Sequence, residues 1–492
     1  MTGDGALDPK VMLRRCLAWE GRQEFRKIIS SLRDYSRFDE MPRLLKMNVQ
    51  AALALKDEKA LNSSLIVQAL ASSPPLVAYT MIRDIDRAGF RDLAAELLLN
   101  DVMERSHPLF LQQVRRCVKF RKPSDLLDRL LAAMGDAGKG GEEIRPTKTN
   151  FSFKPRPEQY ELGTVELKAS SATHRRHVDK LLGDADSFAT RLRSPRPSGI
   201  KEYRNVFIDQ VGQIWNEDGA IILSRGAPIA DVKRSEVLNL EIGFNMVTKT
   251  KGIYHFLVDR LPLLSWMVDN PSAIGIPILL NGGAPSFERE LLELAGFLDT
   301  DLHPISQTIF VERLLIATGG FDAMAGWDQV AAVMDILVSI SQQIAEEKRS
   351  KLPDKIYISR ILAKRRIMDN ERAVEAAMVE RGFTVLYFER LPLWRQIAIA
   401  SKAKTIVAPH GAGLAHLMVS TPPTNVIEIL PINDSAYALR WNYARISMLK
   451  GHRYSAWLEE QINPRSDHWS TNLDEFLPFL DARLKVESGL AA

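Results

Sequence analysis

The stretch Pro409-His410-Gly411-Ala412-Gly413 follows the apolar run Thr405-Ile406-Val407-Ala408 and carries the strongest chemical signal in the chain. A buried strand that ends in a histidine and two glycines before a helix near Ala412 leaves backbone N–H groups free at a sharp turn. At the positive end of a helix such groups seat a diphosphate. Upstream, Tyr357-Ile358-Ser359-Arg360 reads as a second strand exit, followed by Lys364-Arg365-Arg366 and Asn370-Glu371. The Arg360 guanidinium can grip phosphate oxygens bidentately, and Arg365 or Arg366 can add charge. Downstream, Glu428 interrupts the apolar Val426-Ile427-Glu428-Ile429. A carboxylate there needs a partner, either a ribose diol or a neighbouring arginine. A fourth signal is Tyr254-His255-Phe256-Leu257-Val258-Asp259-Arg260-Leu261-Pro262, where His255 and Asp259 share one face of a helix and either can handle a proton.

These residues need elements to hold them, and the chain changes texture in the right places. Residues 1–134 show helical apolar spacing and almost no strand signal, which predicts an all-α region without a fixed repeat period. A linker and connector follows over 135–200. It is rich in Gly, Lys and Pro, with the basic stretch His174-Arg175-Arg176-His177, Arg191, Arg193 and Arg196. From 201 the pattern alternates strand and helix. One series occupies 201–350, a second 351–445, and an extension packing back on them runs over 446–492. The expected fold class is α/β, with two Rossmann-like lobes facing a cleft behind the helical N-terminal region.

Composition narrows the function classes. The chain has 492 residues, 46% apolar and 26% charged, and a net charge of only +4, so nucleic acid is not an implied partner. Cys16 and Cys117 are too few for a disulfide framework or a zinc cluster. The polar N-terminus lacks a signal-peptide pattern and the apolar runs are strand-sized, which points to a cytoplasmic protein, at most peripheral at the inner face of a membrane. Three Asp-x-Asp patterns (Asp84-Ile85-Asp86, Asp184-Ala185-Asp186, Asp299-Thr300-Asp301) sit in the helical region, the connector and after a helix, not at a strand exit. No metal ligand and no cofactor are expected.

Taken together, Tyr357 to Arg360, Asn370-Glu371, Gly382-Phe383, Gln396-Ile397 and the run from Val407 through Ile429 resemble glycosyltransferase family 61, and Tyr254 to Pro262 resembles that family's N-terminal-lobe motif. The resemblance covers about Asn205 to Pro431 and not the helical region. It implies a GT-B-like, inverting transferase using a nucleotide sugar; the placement of the Asp-x-Asp patterns adds metal independence, and the lack of a signal-peptide pattern and of a disulfide framework suggests a glycan or glycolipid acceptor in bacterial surface polysaccharide assembly. In that reading the donor contacts are Arg360, Arg365, Arg366, Asn370, Glu371, His410, Gly411, Ala412, Gly413 and Glu428, and the base is His255 or Asp259. Two departures stand out: Ala415-His416 after the glycine loop, and Asp369 before Asn370. The competing reading is a degenerate scaffold that recruits partners, or a membrane surface, through its N-terminal helices or the basic stretch. A dinucleotide oxidoreductase is disfavoured because no GxGxxG follows the first strand of either series.

Overall fold

Apolar residues at helical spacing in the first quarter of the chain close on a core of their own, while the strands all lie from residue 164 onward among the described residues. The computed structural model describes residues 8–489 except 36, 39–40, 74, 101–112, 115–116, 118–123, 139–145, 148, 155–160, 194–198, 220, 224, 226–228, 249–251, 299–300, 319–326, 433–441 and 462–467. Two units emerge: 1–145 with 206–238, and 146–205 with 239–492.

In the first unit, helices Pro9–Gly21, Pro42–Leu55, Ser64–Ala71, Pro75–Arg87 and Arg91–Leu99 bury Cys16, Leu44, Leu70, Ile82 and Leu97 in one core. Side-chain caps start two of them: Asp8 accepts from the Lys10 amide at 2.7 Å and Ser63 from the Ile66 amide at 3.4 Å. The same unit takes in a hairpin whose turn ends on Gly219 at a φ of 76°, a left-handed conformation that glycine adopts without strain.

The strands are β1 (Thr164–Ala169), β2 (Gly199–Ile208), β3 (Ile214–Asn216), β4 (Ile221–Leu223), β5 (Leu238–Asn245), β6 (Ile278–Asn281), β7 (Leu302–Ile305) and β8 (Ile309–Thr318). There follow β9 (Lys355–Ile358), β10 (Ile367–Met368), β11 (Thr384–Leu386), β12 (Thr405–Pro409), β13 (Asn425–Ile432), β14 (Arg453–Glu460) and β15 (His468–Trp469). In the first unit, β3 pairs antiparallel with residues 206–208 of β2 and with β4. In the second, β5, β6 and β7 pair in parallel and are bordered by β8 and the start of β2. The opening strands of the first series thus pair antiparallel, because short turns join them, while β5, β6 and β7 keep the parallel pairing that strand–helix alternation suggested.

The second series forms a six-stranded sheet, parallel at every pairing, in the order β1-β14-β13-β12-β9-β11. Its central strands β12 and β13 read as continuous apolar runs because both faces are covered. Tyr357, Val407, Ile427 and Trp457 meet Val374, Met378 and Phe476 on one side. Ile358, Ile406, Val426 and Tyr454 meet Ile397, Leu417 and Ile446 on the other. Two contributions come from outside the expected series: β1 from the segment read as a connector, and β14 from the segment read as an extension. The chain is thus a mixed α/β protein with a helical N-terminal region and several sheets.

Candidate active site

In the parallel sheet β9 leads to β11 on one side, after which β12 returns to the other side of β9. The chain reverses its direction of travel there, and the crevice at the carboxyl ends of those two strands is where open α/β sheets bind ligands. Arg360 leaves β9 at this point, and His410-Gly411 leave β12. The two exits touch: a Cβ on Gly411 would lie 1.8 Å from Arg360 Nη1. Gly411 has extended backbone, φ −179°, that any residue adopts, so the guanidinium and not the backbone requires glycine. Gly413 is crowded likewise, by Ile358 Cγ2 at 2.8 Å. Ala412 then opens a 3-10 helix to Val419, tighter than the α-helix its sequence suggests, with its first amides toward the crevice end of β12.

His410 is 5% exposed, and its Nδ1 lies 2.5 Å from Glu428 Oε1. Glu428 is directly in register with Ala408 on the adjacent strand and is fully buried. Its second oxygen accepts from the Tyr454 hydroxyl at 2.5 Å, so the partner that a carboxylate in an apolar strand must have is a histidine and a tyrosine. Burial pushes the His410 pKa down against the pull of Glu428, and the charges of Arg366 and Arg360 push it further. Two cations therefore act on the same point, a field that favours an anion.

The other predicted residues take different places. Arg360 donates through Nη2 to the Arg365 carbonyl at 2.9 Å, which curls the basic loop back toward the crevice. Arg366 sits at a φ of 54°, and its carbonyl accepts from Trp469 Nε1 at 3.2 Å. The Arg365 side chain is exposed. Glu371 is buried beneath the loop and accepts from the Arg360 amide at 2.5 Å and the Tyr357 hydroxyl at 3.2 Å. Burial raises its pKa despite those donors. Asn370 exchanges two hydrogen bonds with the Thr471 backbone. Both side chains are turned into the fold, where they shape the turn after β9. Asp369 pairs with His468 at 2.6 Å on the surface. His416 is buried against Phe388, with Nδ1 3.0 Å from the Gly413 carbonyl, and burial lowers its pKa to about 4.

The stretch that was expected to be one helix changes form along its length. His255–Arg260 is a π-helix, Leu261–Leu264 a 3-10 helix and Ser265–Asp269 an α-helix. Pro262 has no N–H to donate back, and the Leu261 amide instead reaches five residues to the Phe256 carbonyl. On this turn His255 Nδ1 lies 2.9 Å from Asp259 Oδ2, with the histidine side chain 43% exposed and the aspartate 20%. A chain of rings, edge-to-face at its first two contacts and tilted at the third, connects this pair to the glycine loop. Tyr254 meets His255 at 5.2 Å and Tyr443 at 5.8 Å, and Tyr443 meets His410 at 5.3 Å. Two histidine–carboxylate pairs, one accessible and one buried, thus share one aromatic wall.

Residues 253–427 match the family model described as Glycosyltransferase 61. Over this segment the chain is similar to glycosyltransferase family 61. Its matched span opens at the π-helix and closes on β13, so it holds both histidines, Arg360 and Gly411. No curated protein matches the chain. Two tyrosines of the candidate site, Tyr443 and Tyr454, lie beyond the matched span, and no spacing in the sequence marked them. Of the Asp-x-Asp patterns, the first lies in helix Pro75–Arg87, where Asp84 accepts from Gln50 at 3.2 Å, and the second lies in helix Arg175–Leu192. Residues 299–300 of the third, like Arg196 of the basic stretch, fall outside the described residues.

Proposed function

We propose that this glycosyltransferase moves a sugar from a nucleotide-sugar donor to a glycan or glycolipid hydroxyl with inversion, in a GT-B-like arrangement and without a metal or cofactor. The observation that carries the reading is the Arg360 guanidinium lying on Gly411 at the reversal point of the parallel sheet, beside His410. A diphosphate seated there would meet Arg360, the charge of Arg366 and the first amides of the 3-10 helix, which together stand in for a cation. Asn370 and Glu371 act through the loop that carries Arg360.

His255 is the base in this mechanism and Asp259 the residue that orients it. When Nδ1–H donates to Asp259, Nε2 is left as the acceptor. The acceptor hydroxyl oxygen attacks the anomeric carbon, its proton passes to His255 Nε2, and the bond from that carbon to the phosphate oxygen breaks. The nucleoside diphosphate leaves with the bonding electron pair, held by Arg360. The setting we propose is bacterial surface polysaccharide assembly at the cytoplasmic side of the membrane. No described helix is long and apolar enough to cross a membrane.

Release of nucleoside diphosphate, followed over a panel of nucleotide sugars with and without EDTA, tests the reading. Turnover with at least one donor, undiminished by EDTA, is expected. Turnover abolished by EDTA would overturn the metal-free mechanism, and absence of both turnover and binding with every donor would overturn the donor site.

A further inference from the structure

A cavity of about 310 Å³ opens in the second unit at the opposite end of its first sheet from the His255–Asp259 pair. Its wall includes Ser272, which precedes β6, whereas the π-helix follows the carboxyl end of the parallel neighbour β5. The volume is near the lower bound of about 300–1,000 Å³ for small-molecule sites, which suits a single sugar-sized ligand.

The charge in this cavity is built, not incidental. Glu202 on β2 is 2% exposed, and Arg204, two residues on, shares its face. Arg204 Nε donates to one carboxylate oxygen at 2.9 Å, and Arg313 Nη2 on β8 donates to the other at 2.9 Å. Burial alone would raise the Glu202 pKa, but the hydrogen bonds and charges of Arg313 and Arg204 outweigh it and bring it below the usual value. One carboxylate thus fixes two guanidinium groups and leaves one positive charge in excess. Each arginine keeps N–H groups with no partner among the described residues, and the side chains are 62% and 40% exposed. Beside them, Asn150 and Ser272 offer hydrogen-bonding side chains. Phe151, braced by Trp266 at 5.0 Å, offers a ring.

We infer that this cavity binds one acidic sugar unit, a small polyol bearing a carboxylate or a phosphate. The remaining guanidinium N–H groups take the oxyanion, Asn150 and Ser272 take hydroxyls, and Phe151 covers the apolar ring face. A sheet-stabilising ion pair would need only one cation for Glu202. The site does not depend on the transfer chemistry, so its failure and the failure of the donor reading are separate events.

Calorimetric titration of the full chain with galacturonate, glucose 6-phosphate, inorganic phosphate and glucose tests the inference. Saturable binding of galacturonate or glucose 6-phosphate is expected, with none for glucose, and the better of the two identifies the anion. Arg204→Gln changes an exposed side chain and should weaken that binding by about tenfold. Arg360→Ala should leave it unchanged, which separates it from the diphosphate seat. No saturable binding of either acidic sugar, or an affinity that Arg204→Gln does not alter, would overturn the inference. Inorganic phosphate binding as tightly as both sugars would overturn the sugar part of it.

Discussion

Glu428 ties the site to the core, since one oxygen holds His410 and the other holds Tyr454. A buried carboxylate is costly to leave unsatisfied, and a hydrogen bond to a charged group contributes about 1.5–3 kcal/mol. Tyr454→Phe keeps the ring and removes one of the two donors, so the second unit should lose about 2 kcal/mol of stability in a denaturant titration. An unchanged unfolding midpoint would show that the tyrosine hydroxyl contributes nothing to holding the carboxylate. His410, Arg360 and Glu428 were legible in the sequence because each interrupts or ends an apolar strand, a position where a polar group has few structural uses. Tyr443 and Tyr454 were not: a tyrosine in an apolar stretch packs equally well in any core, and only the fold brings the first to His410 and the second to Glu428.

The crevice arises because β12 lies on the far side of β9 from β11, and the sheet that sets this order is completed from segments the sequence did not assign to it. β1 was illegible because it is an edge strand whose partner, β14, lies near the other end of the chain. Short-range patterning cannot reveal such a pairing. The strand that leads to Arg360, the one that ends at Pro409 and the one that carries Glu428 were legible, because parallel strands buried on both faces read as unbroken apolar runs. The π-helix was expected only as a helix, since its altered hydrogen bonding follows from Pro262 and the packing around it. Entry into β1 depends on Gly163, whose amide donates to the Met448 carbonyl at 2.8 Å. A Cβ there would lie 2.2 Å from the His452 carbonyl oxygen and 2.5 Å from that of Ser447. Both obstacles are backbone and cannot swing aside, so Gly163→Ala should destabilise the second unit by about 1–3 kcal/mol, as overpacking does. A thermal melt superimposable on the unmodified protein's would contradict the close approach of these segments.

For the molecule as a whole, buried histidines set a dependence on pH. Burial lowers the His416 pKa to about 4 and, together with the Lys450 charge, lowers that of His452 to about 3, from the usual 6.5. The unfolded chain takes up these protons below 6.5 and the folded chain does not. Stability is therefore fully present above 6.5 and is lost as pH falls toward the folded values. Within that window each histidine contributes a slope approaching about 1.4 kcal/mol per pH unit. A melting temperature that falls steadily between pH 6.5 and 5, less steeply in His416→Phe, is the expected result; a flat profile would contradict it. The central claim divides the reaction between two places: phosphate is held at the reversal point of the parallel sheet, and the proton is taken at the π-helix. Donor affinity and turnover measured side by side on Arg360→Ala and His255→Ala test it most directly. Arg360→Ala should lose donor affinity together with turnover, and His255→Ala should keep donor affinity while turnover falls by about 10²–10⁴. Unchanged affinity in the first variant, or unchanged turnover in the second, would contradict the account.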